Sequence, residues 1–306
     1  MSATRFSIGV FPLLIARLIA DPATLETRLD AASATLAEQG IRIAASVMLD
    51  SCADVLQLSF ADAPAETVLA AIDAHFAPAD MLVSDSEFAI PRVFVSDMDS
   101  TMIGQECIDE LADYAGIKPQ IAAITERAMQ GELDFESALR ERVALLDGLG
   151  ESAIARCLDE RIRATPGAKT LVSTLSARGC RTVLVTGGFH HFADVVGDQL
   201  GFDRVVGNRL TVEDGMLAGT LDGPIVDSAV KEAVLLEEIA ALGQSTPSLA
   251  TGDGANDIPL IEAATYGVAY RAKPRARAAA NGRIDRGDLT AVLSLLGIPT
   301  KDWVYG

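Results

Sequence analysis

The 306-residue chain is 49% apolar and 22% charged, which excludes the polar, charge-dense composition of a disordered protein and leaves room for more than one packed core. Its 43 acidic against 25 basic residues give a formal charge of −18, which excludes a sequence-independent grip on nucleic acid or an anionic membrane, since both need Lys/Arg-rich surfaces. Cys52, Cys107, Cys157 and Cys180 form no C-x-x-C pair, so they suggest neither zinc nor a disulfide framework and fit reduced thiols in a cytoplasm.

In chain order, an apolar run over residues 8–20 comes first. Pro12 and Arg17 interrupt it, no basic start precedes it, and it is too short to span a bilayer, so it reads as part of the fold. A helix over 23–39, strands over 41–48 and 55–60 and a helix over 65–75 follow, predicting a small α+β unit across residues 1–85 that carries no chemical motif. From Pro91 onward, short apolar strands alternate with helices, the pattern of a parallel sheet covered on both faces. Its candidate strands are 92–96, 181–186 and 247–251. Between the first two, apolar residues recur at helical spacing, as in FESALRERVALLDGL, and strand signals are lacking. The spacing predicts a helical cap over 105–165, inserted into an α/β core of residues 86–104 and 166–306, with Pro166 and Gly167 at its exit. RLTVEDGMLAGTL, residues 209–221, reads as a hairpin turning near Asp214 and Gly215.

Ligands of open parallel sheets sit outside the carboxyl ends of the strands. Three predicted strands end in DMDST, TGGF and TGDGAND, and Lys231 lies on a predicted helix between the last two. If these ends converge, Asp97, Asp99, Asp253 and Asp257 crowd one crevice, and their repulsion calls for a cation. All-oxygen donors with no His or Cys beside them point to a hard ion, Mg²⁺. The turn at Thr186, Gly187 and Gly188 offers free amides, a hydroxyl and a helix N-terminus to an anion, and Lys231 adds a positive charge. That set suits a phosphoryl group, with one aspartate attacking phosphorus and the other serving as acid and then base. The second task needs a raised pKa, expected at Asp99, while Asp97 stays ionised.

DMDST, TGGF, Lys231 and GDGAND, in that order, resemble the four motifs of the haloacid-dehalogenase-superfamily phosphatases. With ECIDELA and DFESALRERVALL in the cap, the chain is similar to those acting on phosphoserine. The resemblance runs from about Pro91 to the late 280s. It implies a doubly wound Rossmannoid α/β core with a helical, C1-type cap, and Mg²⁺-dependent hydrolysis of O-phosphoserine, the last step of serine biosynthesis. By the same resemblance Asp97 is nucleophile and metal ligand, Asp99 is acid/base and ligand through its backbone carbonyl, and Asp253 is a metal ligand. Thr186, Gly187 and Lys231 bind the phosphoryl group, Gly188 and Asn256 are among the substrate-binding residues, and Asn256 and Asp257 complete the polar shell, with Asp257 placing Lys231 or a metal-bound water. Glu106 meets the substrate amine and Arg142 its carboxylate, whereas Arg140, two positions away on the helix, points elsewhere. Thr186 stands where the family more often has Ser. In element order residues 1–85 resemble the ACT-like regulatory domains of some members.

Other readings stay open at this point: a different small phosphate monoester, transfer to an alcohol acceptor, or an inactive protein that senses an amino acid through its N-terminal domain. A homodimer through that domain is open as well. His190 and His191 read as surface or supporting residues, and Cys107 as a small buried apolar one.

Overall fold

The protein's computed structural model describes residues 13–52, 54–130, 132–243 and 245–305. The first part of the apolar run over 8–20 lies outside the described residues, and its second part forms strand β1 (Leu14–Ile19). There follow α1 (Leu25–Glu38), β2 (Ile43–Leu49), β3 (Val55–Phe60), α2 (Ala65–Phe76) and β4 (Asp80–Ser84). In α1 the apolar residues Leu25, Leu29, Ala32 and Leu36 fall on one helical stripe. They pack on the strand face that carries Leu56, Leu58 and Phe60, which alternate along β3 as the pleat requires. The four strands run antiparallel in the order β2-β3-β1-β4.

The remaining elements are β5 (Val93–Ser96), α3 (Cys107–Tyr114), α4 (Lys118–Met129), α5 (Phe135–Ala144), α6 (Ser152–Glu160), α7 (Ala168–Ser176), β6 (Arg181–Phe189), α8 (His190–Leu200), β7 (Arg204–Glu213), β8 (Met216–Asp222), α9 (Ser228–Leu242), β9 (Ser248–Gly252), α10 (Ile258–Ala263), β10 (Tyr266–Tyr270), α11 (Pro274–Ala279), β11 (Gly282–Ile284) and α12 (Thr290–Leu295). Strands β11, β10, β9, β5, β6 and β7 pair in parallel in that order, and β8 closes the edge antiparallel to β7. Both faces are covered. In β5, Val93 and Val95 face the cluster containing Val234 and Leu235 of α9, while Phe94 faces the one containing α7, α8 and α12. The β7–β8 hairpin turns at Asp214 and Gly215, both with positive φ, as a tight two-residue turn needs. Helices α3 to α6 all lie within residues 105–165.

The sequence predicts a separate N-terminal α+β unit, yet its sheet is continuous with that of the core, because β4 pairs antiparallel with β11 to give eleven strands in one sheet. Gly282 permits the join, since a Cβ there would press on Leu82 at 2.6 Å. Side chains lock it. Asp80 is 2% exposed and accepts the backbone N–H groups of Asp285, Arg286 and Gly287, each at 2.9 Å. Asp73 on α2 accepts both terminal nitrogens of Arg277 on α11 and pairs with Arg283 of β11 at 3.1 Å. No described helix is long and apolar enough to cross a membrane.

Candidate active site

The centre of the parallel sheet brings the predicted residues together. β5 ends at Ser96, and Asp97 follows with its N–H donating to the Thr251 carbonyl of β9 at 3.0 Å. The Thr251 hydroxyl donates to Ser96 Oγ, and Ser96 to the Asp97 carbonyl, both at 2.7 Å, so the two strand ends are clamped together. The chain then folds tightly, with the Met98 carbonyl accepting from Thr101, Met102 and Ile103 and with Ser100 at φ 56°. This turn settles what strand spacing alone could not, namely where Asp99 goes. A Cβ added to Gly188 would lie 3.0 Å from Asp99 Oδ2 and 3.1 Å from Thr186 Oγ1, so the second aspartate and the Thr186 hydroxyl flank the glycine turn.

Helix α9 starts where Asp227 caps the Val230 N–H at 3.0 Å, and one residue later it projects Lys231 into the interior. The ammonium is 1% exposed and donates to Asp97 Oδ1 and Asp257 Oδ1, each at 2.6 Å. Burial alone would lower its pKa, but the two carboxylates outweigh that penalty and raise it. Asp257 Oδ2 accepts the N–H groups of Asp253 and Gly254 at 3.2 and 3.0 Å, so both its oxygens are engaged, one by Lys231 and one by the backbone of the turn.

Burial pushes the Asp97 carboxyl up and the charge of Asp257 adds to this, with Lys231 opposing. Asp99 is raised to about 7 by burial first and then by the charge of Glu106, while hydrogen bonds from Cys107 oppose. Its Oδ1 is buried without a partner. A carboxyl near neutrality with an unengaged oxygen is suited to passing a proton in either direction. Asp253 is raised by burial, with Lys273 opposing from 3.5 Å.

Asp97, Asp253 and Asp257 each place a carboxylate oxygen within 4.8 Å of the others, all buried. The donors are oxygens with no imidazole or thiolate among them, so the set fits a hard divalent cation. With Asp257 engaged on both oxygens, Asp97 and Asp253 are the carboxylates best placed to hold one.

The cap residues divide clearly. Arg140 is held by Glu136 one turn away at 2.8 and 2.9 Å, whereas Arg142 is half-buried, makes no ion pair among the described residues, and donates only to the Ala138 carbonyl at 3.2 Å. Burial lowers the Arg142 pKa against the opposing charges of Asp109 and Glu106. Glu106 accepts the Ser100 hydroxyl at 2.8 Å, which ties the first cap residues to the turn after β5. Asn256 is half-buried in the 3-10 turn 255–257, its side chain against Gly254. His190 pairs with Asp194 at 2.8 Å, one turn along α8, and His191 is half-buried beside it. Cys107 is fully buried, and burial followed by the neighbouring Asp99 raises its thiol.

The sequence reading missed Phe135. This first residue of α5 reaches down from the cap so that a Cβ on Gly187 would lie 3.2 Å from its ring. It is 38% exposed and follows the helix-capping Asp134, and no pattern in the sequence marks it out.

The family model for haloacid dehalogenase-like hydrolases matches residues 94–262. A phosphoserine phosphatase of Albidiferax ferrireducens is 44% identical over 210 residues, covering 67% of this chain and 89% of the relative. Among solved structures, a haloacid-dehalogenase-family hydrolase from Salmonella enterica serovar Typhi superposes with a TM-score of 0.80 at 26% identity, covering 93% of this chain and 98% of that one. A probable phosphoserine phosphatase from Vibrio cholerae, unliganded, superposes at 0.71 with 29% identity, covering 95% and 88%.

Proposed function

This chain belongs to the haloacid dehalogenase-like hydrolases, and from that premise we propose that it is a phosphoserine phosphatase, releasing L-serine and phosphate from O-phospho-L-serine. The observation that carries the reading is the buried Lys231 ammonium, 2.6 Å from both Asp97 and Asp257, at the place where β5, β6 and β9 end together.

In this reading an oxygen of Asp97 attacks phosphorus while Asp99 gives its proton to the departing serine oxygen. Asp99 then takes a proton from the water that attacks the aspartyl-phosphate, and phosphate leaves with Asp97 restored. Thr186, Gly187, Gly188, Lys231 and Asn256 receive the phosphoryl oxygens, whose charge in transfer is stabilised by preorganised donors. Mg²⁺, held by Asp97, Asp253 and the Asp99 carbonyl, would neutralise charge on the phosphoryl group when bound. Glu106 meets the substrate ammonium and Arg142 its carboxylate, to which a guanidinium can donate two parallel hydrogen bonds. Phe135, on the cap side of the glycine turn, excludes water from the reacting atoms.

The same reading divides the chain into an ACT-like unit over 1–85, a cap over 105–165 and a core of 86–104 and 166–306. It places the protein in the cytoplasm, on the support of four buried cysteines with free thiols. Phosphate release from phosphoserine, phosphothreonine and an aryl phosphate, with Mg²⁺ and with EDTA, tests it. Phosphoserine should be the preferred substrate and EDTA should stop release. Equal rates on all three esters would overturn the substrate assignment.

A further inference from the structure

We propose that Asn208 is a positioning residue that sets both the phosphate-binding turn and the helix carrying Lys231 through its single side-chain amide. The proposal rests on the reading of Thr186 and Lys231 as phosphoryl-binding groups. Asn208 lies in β7 and is 2% exposed. Its Nδ2 donates to the Gly187 carbonyl at 2.8 Å, and its Oδ1 accepts the Val226 N–H at 2.8 Å. One partner needs a donor and the other an acceptor, so only one orientation of the amide satisfies both.

The first bond fixes a peptide plane. With the Gly187 carbonyl drawn toward Asn208, the N–H of Gly188 in the same planar unit points the other way, where it donates to Thr186 Oγ1 at 2.8 Å. That hydroxyl oxygen is then engaged as an acceptor, so its own proton is left to donate to an anion. Asn208 therefore decides which way the Thr186 hydroxyl works. The second bond acts on Lys231. Val226 immediately precedes Asp227, the N-cap of α9, and Lys231 is the fourth residue of that helix. The strand register also marks the place. The β6–β7 ladder is regular through Val185, breaks over the glycine turn, and resumes with Phe189 opposite Asn208. A buried polar side chain otherwise forgoes apolar packing, and here both ends of the Asn208 amide are engaged by the two loops that frame the site.

The variant Asn208→Asp tests this. It keeps the shape and the acceptor but at neutral pH sets a carboxylate against the Gly187 carbonyl. Inorganic phosphate is the probe, measured as a competitive inhibitor, with Mg²⁺ affinity measured separately by calorimetry and Thr186→Ala run alongside. The proposal expects phosphate affinity to fall about tenfold or more, Mg²⁺ affinity to stay within about twofold, and phosphate affinity to recover at lower pH, where the protonated carboxyl can again donate. Unchanged phosphate affinity in Asn208→Asp, or equal losses for phosphate and Mg²⁺, overturns it. Unchanged affinity in Thr186→Ala as well would place the failure in the phosphoryl-binding reading itself. Should Asn208→Asp fail to fold, Asn208→Ser is read by the same loss of phosphate affinity, and failure of both to fold assigns Asn208 to stability alone and overturns the proposal.

Discussion

Two aspartates at different places in one sheet have similar burial and opposite tasks. Asp80, where the N-terminal strands join the core, is 2% exposed, and Asp97, in the parallel centre, is 4% exposed. Burial pushes both carboxyls upward. The difference lies in their partners. Asp80 accepts three backbone N–H groups and is satisfied by the fold itself. Asp97 faces a buried ammonium and lies in the field of two further carboxylates, Asp257 and Asp99. A buried acid that closes a backbone turn is scaffold, whereas one crowded by charge at the carboxyl ends of parallel strands is poised for chemistry.

The largest effect should separate the two directly. Asp97→Asn removes the proposed nucleophile, and kcat for phosphate release should fall by about 10⁴-fold or more, with the thermal transition little changed. Asp80→Asn should leave kcat near wild type but destabilise the protein by about 2 kcal/mol, because an amide NH₂ then faces backbone donors. Denaturant titration and steady-state rates on both variants check this contrast.

Lys231→Met should cost about 10³-fold in kcat and also about 3 kcal/mol of stability, since it strands Asp97 and Asp257 against one another in the interior. Both losses in one variant would mark Lys231 as belonging to scaffold and chemistry together.

Arg142→Ala should raise KM for phosphoserine about 10- to 100-fold with little change for a phosphate ester lacking a carboxylate, while Arg140→Ala should leave KM unchanged. A similar rise in KM for both esters would remove Arg142 from the substrate carboxylate.

The smallest effect belongs to the junction. Asp73 is held below the usual carboxylate range, chiefly by the hydrogen bonds from Arg277, with burial opposing. Its contribution to stability is fully present above the ordinary value of 3.8 and is lost as pH falls through the lower folded value. The stability gap between wild type and Asp73→Ala should therefore hold at neutral pH and close in strong acid, read from urea midpoints across pH.

The chemical half of this contrast was legible in the sequence because it is local: DMDST, TGGF and GDGAND each follow a short apolar strand, and strand ends are where such sheets bind ligands. Lys231 was legible only in the company of those motifs. The structural half was not. β11 is three residues long, too short for any periodicity, and its pairing with β4 depends on a glycine 200 residues away accepting the face of Leu82. Asn208 and Phe135 escaped for a related reason. Their significance lies in which backbone they touch across the fold, and no spacing in VVGNRL or DFESAL carries that.

The most direct test is whether the phosphoryl group passes through Asp97. Acid-quenched enzyme, taken during turnover of phosphoserine and analysed by peptide mass spectrometry, should carry one phosphoryl group on the peptide containing Asp97, and the Asp97→Asn variant should carry none. A phosphoryl group on another residue, or steady turnover by Asp97→Asn, would contradict the account.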